Sequence, residues 1–275
     1  MLILERPWTR QPQGVAQIHP EIREPRIVWT GSSAWLPQPA TGMPIIVENG
    51  TAPLTVGTQG MQFSGDATNG ARIEFTAAAE QIFKDASRTT IAMLRRHRDT
   101  TARAVQTIGY QQTGASANRV LLSAPYNDGN AYWDFGNFTT GRLSVAWGTK
   151  NTDWHTLVVV AGTSKGREIW RNGVRLASNG NTVSCTPTGR QFCLGSVPFL
   201  SFGDNEDVAL CVVSNAEWSD SEILAWSRNP FGRSFAPQQI IIPTPAAAAV
   251  PTLSASTYVP GSMTSTGWRP QITAS

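Results

Sequence analysis

The chain has 275 residues, with 22 Lys and Arg against 19 Asp and Glu, for a formal charge of +3. That length suits one large all-β domain or two small ones, and ten Trp and ten Phe argue against general disorder. So small a net charge does not point to nucleic acid, and the sequence holds no run of 18 apolar residues to span a membrane.

Residues 1–30 carry Pro7, Pro12, Pro20 and Pro25 among scattered Arg and Gln. Proline fixes φ and removes an amide donor, so this zone is expected to be an extended arm. Charge at Glu5 interrupts its apolar start, which does not fit a secretory leader. Residues 31–228 alternate strand and turn signals and are expected to form the body. Strands are predicted over 72–75, 91–94, 105–110, 120–122, 132–138 and 208–213. Leu143, Val145 and Trp147 alternate as in a half-buried strand, while 154–161 (WHTLVVVA) is apolar enough to be buried on both faces. Asn172-Gly173 between two alternating runs predicts a type I′ hairpin. Ser219-Asp-Ser-Glu222 is a capping box that opens one short helix, which Asn229-Pro230 ends. Residues 229–275 are again proline-rich, with β-prone pieces at 239–242 and 264–273, and read as an extended tail. Many short strands without covering helices imply an antiparallel sandwich or barrel.

Cys185, Cys193 and Cys211 match no zinc spacing. Cys211 sits in an apolar run and reads as a buried small hydrophobe. Whether Cys185 and Cys193 pair stays open, although an odd count suits a reduced chain.

Three blocks carry a resemblance. Residues 60–65 (GMQFSG) with 71–75 (ARIEF), 153–160 (DWHTLVVV) with 169–174 (IWRNGV), and 207–213 (DVALCVV) with 218–223 (WSDSEI) together resemble a concanavalin A-like, laminin-G-like jelly roll. The flanks, 5–13 (ERPWTRQPQ) and 229–237 (NPFGRSFAP) before 240–243 (IIIP), are similar to segments of tailed-bacteriophage structural proteins. The resemblance implies an all-β antiparallel jelly-roll sandwich with one short helix and extended N- and C-terminal arms. It further implies a non-enzymatic virion component, a capsid decoration or a tail or baseplate part, assembled in the host cytoplasm in multiple copies. Its partners would be other virion proteins, the major capsid protein or tail and baseplate proteins, with no nucleic acid and no membrane. Arg6, Trp8, Arg10, Trp29, Phe231, Phe235 and Trp268 are the expected docking residues, with Trp35 a further anchor of the arm.

Catalytic patterns are missing from the sequence. A glycosidase of this fold needs two carboxylates on alternate positions of one strand, a pattern that reads roughly Glu-x-Asp-x-x-Glu, and no stretch of the sequence has that spacing. The histidines His19, His97 and His155 accompany no nucleophile elbow, and no phosphate-binding loop occurs. Asp128, Asp134, Asp204 and Asp207 are conceivable calcium donors; their spacing matches no calcium loop, so no cofactor is assigned and a structural calcium ion stays open. Asp204-Asn-Glu-Asp207 reads as a solvated turn. Arg88, Arg95, Arg96, His97, Arg98 and Arg103 form a basic cluster, read as a solvated strand end or as a dock for an acidic neighbour. The alternative function is a lectin-like module contacting host surface glycans. Sugar sites combine aromatic faces with amide and carboxylate groups, and Tyr126, Asn127, Asp128, Tyr132 and Trp133 crowd one short stretch. Strand alternation would turn some of these aromatics into the core.

Overall fold

In the computed structural model the described residues are 22–30, 36–37, 44–47, 54–57, 60–66, 70–78, 87–111, 119–185, 191–195 and 203–234; all belong to the first of two compact units, Met1–Gln238. Two sheets face each other. The first has the order β14 (Val174–Asn179), β13 (Gly166–Arg171), β12 (His155–Gly162), β7 (Thr89–His97), β16 (Glu206–Ser214), β1 (Pro25–Thr30) and β2 (Leu36–Pro37), with β5 (Gly60–Phe63) on β16 and β4 (Leu54–Gly57) on β5. The second has the order β11 (Arg142–Ala146), β10 (Asn130–Gly136), β9 (Arg119–Ser123), β8 (Ile108–Gln111), β15 (Gln191–Leu194), β6 (Arg72–Ala78) and β3 (Pro44–Val47). The pairings among these strands are antiparallel, and the protein is an all-β sandwich of the expected class.

Alternation explains why the first sheet is buried on both sides. Leu157, Val159 and Ala161 of β12 join Ile91, Met93, Cys211 and Val213 in the core between the sheets, opposite Val120, Leu122, Trp133 and Phe135. The intervening residues, Val158, Val160, Ala92, Leu94, Leu210 and Val212, form a second cluster with Trp218, Ile223 and Trp226. Two short helices supply that cover, α1 (Asp220–Arg228) and α2 (Pro230–Ser234). The capping box is present: the Glu222 amide donates to the Ser219 hydroxyl, and the Ser219 amide donates to the Glu222 carboxylate. Pro230 ends α1 as expected, then opens α2, where the first helical position needs no amide donor. Asn172 and Gly173 both have positive φ, 52° and 75°, as the type I′ turn between β13 and β14 requires.

Three expectations change. Residues 25–30 are a strand of the sheet, pairing with β16, so the arm does not extend to residue 30. Pro25 sits at the strand's first position, where the missing amide is tolerated. Trp29 is therefore a core residue, with 1% of its surface exposed and its ring 6.4 Å from Phe63, and is no docking anchor. Phe231 on α2 packs partly buried against the second cluster and serves the chain's own interior. The three cysteines are buried and free, so Cys185 and Cys193 do not pair; burial pushes the Cys185 thiol up to about 11.

Candidate binding face

Charged groups gather in two places. The first lies where β7 meets β16, and Arg95, His97, Asp204, Glu206, Asp207, Lys150 and His155 are all buried there. The register sets Glu206 beside His97 and Val208 beside Arg95, so the Arg95 guanidinium lies 2.6 Å from Glu206 Oε2. Arg95 also donates to Thr107 Oγ1 and the Ala124 carbonyl, at 3.1 and 2.8 Å. Asp204 takes Lys150, His97 Nδ1 at 3.1 Å and Arg103 at 3.2 Å, and Asp207 takes Arg96 and Arg98 at 2.8 and 3.3 Å. The acidic partner expected on a neighbouring subunit is thus the chain's own 204–207 segment, which is buried rather than a solvated turn. Burial lowers the His97 pKa to about 4, aided by Arg95, and drives His155 well below the usual imidazole range. Burial also raises Glu206 to about 7, against the pull of Arg95. The carboxylates and imidazoles of this cluster are buried, while Arg96 and Arg98 stay about a third exposed.

The second gathering is on the outer face of the second sheet. In the β10–β11 hairpin Trp133 pairs with Leu143, and both point into the core. Trp133 Nε1–H donates to the Val160 carbonyl at 2.9 Å, so this residue leaves the expected sugar site. Opposite parity puts Tyr132, Asp134 and Arg142 on the other face, with Asp134 directly across from Arg142. Tyr126, Asn127 and Asp128 come from the turn before β10, where the Asp128 carboxylate accepts the Asn130 amide at 3.0 Å. The Tyr126 and Tyr132 rings meet edge to face at 5.8 Å, and the Tyr132 hydroxyl donates to Asp128. That bond holds the Asp128 carboxyl below its usual pKa and raises Tyr132. Tyr126, Asp128 and Tyr132 of the expected sugar site are therefore in contact on one surface, and Asn127 is exposed in the same turn.

Three further residues complete the face. Arg142 lies over the Tyr132 ring at 4.6 Å and binds Asp134 through Nε and Nη2 at 2.6 and 2.8 Å, which raises its pKa. Arg119 Nε lies 3.5 Å from the same buried carboxylate, and burial lowers the pKa of this guanidinium. Phe138 is 42% exposed, with Arg119 and Arg142 at 5.6 and 5.5 Å from its ring centre. Hairpin parity held the signal: once 134 and 142 pair, 132, 134 and 142 must share a face.

The remaining expected sites divide simply. Arg6, Trp8, Arg10, Trp35, Phe235 and Trp268 lie outside the described residues. The four calcium candidates are engaged by the partners given above, and among the described residues no group of three or more His, Cys, Asp or Glu is placed to hold a metal ion. Among the described residues no helix is long and apolar enough to cross a membrane.

The sequence matches no family model and no curated protein. Solved structures do share the fold. Domain 4 of AbnA, a GH43 extracellular arabinanase from Geobacillus stearothermophilus solved with arabinotriose, is 14% identical over 74% of this chain and 98% of its own, with a TM-score of 0.51. A structure of botulinum neurotoxin type C, whose cell entry depends on two ganglioside molecules, is 9% identical over 76% of this chain, with a TM-score of 0.55. The binding domain of botulinum neurotoxin DC, in complex with rat synaptotagmin II, gives 9% and 0.54. This chain spans about half the length of those toxin chains. At such identities the likeness establishes the fold, a β-sandwich of the kind found in binding domains.

Proposed function

We propose that the chain is a non-catalytic glycan-binding domain that uses the outer face of β9, β10 and β11. The observation that carries this reading is the convergence of Tyr126, Asp128, Tyr132, Arg142 and Phe138 on one surface, aromatic faces beside hydroxyl-binding groups. Its two carboxylates suit binding better than hydrolysis. Asp134 is buried under Arg142, and Asp128 holds the Tyr132 hydroxyl, so neither is poised as acid or nucleophile. The sandwich neighbours solved with a sugar or dependent on a ganglioside support the same class. Docking in a virion loses two of its anchors, since Trp29 and Phe231 are used inside the chain.

The test is a glycan array probed with the full chain, followed by calorimetry on the best ligand. Replacing Tyr126 and Phe138 with Ala should weaken that ligand about tenfold or more, with the unfolding midpoint unchanged. A chain that retains no glycan, or a double variant that binds like the parent, overturns the proposal.

A further inference from the structure

The same face is elongated. β10 spans the seven residues Asn130–Gly136, roughly 20 Å of extended strand. Asp128 lies before its first residue and Phe138 beyond its last. The side chains keep these two ends apart. Tyr132 turns its hydroxyl back to Asp128, and Asn130 Nδ2 donates to that oxygen at 3.4 Å, so the ring points away from the turn that carries Phe138. Tyr126 packs against it edge to face, which makes the two tyrosines one aromatic pair toward the start of the strand. Phe138 is a second aromatic surface at the other end, 42% exposed. Arg142, opposite Asp134 in the register, bridges the two, with its guanidinium 4.6 Å from the Tyr132 ring and 5.5 Å from that of Phe138. Asp134 holds Nε and Nη2 of this arginine, and its Nη1 donors make no hydrogen bond among the described residues.

Resting on the glycan reading, we infer that this face binds an extended oligosaccharide laid along β10. One sugar ring lies on the tyrosine pair and another on Phe138, while Arg142 Nη1 donates to oxygens of the units between them. An aromatic ring stacks one sugar face at a time, so a lone terminal sugar engages one end only. A chain that reaches both ends joins two weak contacts, the second made intramolecularly at high effective concentration.

The experiment is calorimetry on the full chain with length series of one to six sugar units. The probes are gluco-, xylo-, arabino- and chito-oligosaccharides, together with the series built on the best array glycan. Affinity in the series that binds should rise about tenfold over the first three or four units and then level off. Phe138→Ala should shrink that rise about fivefold, with the denaturant midpoint as in the parent. Nuclear Overhauser contacts decide the matter without a variant, since a bound tetrasaccharide should touch ring protons of both Tyr126 and Phe138. A monosaccharide bound as tightly as its longer forms overturns the extended site and leaves the glycan reading standing. So does a Phe138→Ala chain with the parent's length dependence, or a tetrasaccharide that touches one ring alone. If no saccharide of any length binds, both readings fail.

Discussion

Arg95 with Glu206 and Arg142 with Asp134 are chemically alike, an arginine and a carboxylate on neighbouring antiparallel strands, yet they have different surroundings. Both members of the first pair are fully buried, amid His97, His155, Lys150, Asp204 and Asp207. In the second only the carboxylate is buried, and its arginine reaches solvent across an aromatic ring. Water still solvates Arg142, so a ligand can replace that water at little cost. Nothing can replace the partners of Arg95 without opening the sandwich. The same side-chain pair thus holds the fold at one place and offers a contact at the other.

The largest expected effect breaks the buried pair. Arg95→Met leaves Glu206 beside Asp204 and Asp207 without its cation, and removal of one partner from a buried ion pair costs about 3–5 kcal/mol. The equivalent change at Arg142, a third exposed, should cost less, about 1–2 kcal/mol, because Arg119 remains beside the buried Asp134. Denaturant midpoints of the two variants measure the contrast; equal losses would show that burial does not separate the clusters.

Acidity gives a finer test. His97, at about 4 in the fold against 6.5 outside it, and His155, also lowered, contribute stability that is present above pH 6.5 and lost as pH falls. Glu206 runs the other way: raised from 4.5 to about 7, it contributes stability that is present below pH 4.5 and lost as pH rises through 7. Between those limits the imidazoles make stability climb with pH while Glu206 opposes them, so the climb is shallower than the histidines alone would give. Glu206→Gln removes the opposing group and should steepen that climb, parent and variant diverging by up to about 3 kcal/mol between pH 4.5 and 6.5. Denaturation curves across that window check it, and parallel pH profiles for parent and variant would refute the assignment.

What the sequence made legible follows from where its signals are local. The apolar run of β12, the Asn172-Gly173 turn and the Ser219 capping box each lie within a few residues, and each forms as read. The buried ion cluster depends instead on β7 meeting β16 more than a hundred residues away. The runs at 95–98 and 204–207 look like two solvated patches until that register neutralises them. β1 was hidden for another reason, since Pro25 and Arg26 interrupt a strand whose apolar positions fall on both faces. Fold class was therefore readable from periodicity, whereas the binding face needed the hairpin register to sort its aromatics.

That sorting gives the smallest effect and the cleanest separation of the two regions. Tyr132 and Trp133 are adjacent and chemically similar, but alternation sends one to the surface and the other to the core. Trp133→Phe keeps an aromatic ring among Phe135 and Leu143 and deletes the Nε1–H bond to the Val160 carbonyl. That carbonyl sits on the facing sheet, so the lost bond should cost about 1–2 kcal/mol and lower the denaturant midpoint. Glycan affinity should stay as in the parent, because no atom of Trp133 reaches the outer face. Tyr126→Ala should do the reverse, weakening the ligand while leaving the midpoint within about 0.5 kcal/mol. If Trp133→Phe instead impaired binding at unchanged stability, the ligand would have to approach the interior of the sandwich, and the outer face of β10 and β11 would lose its role.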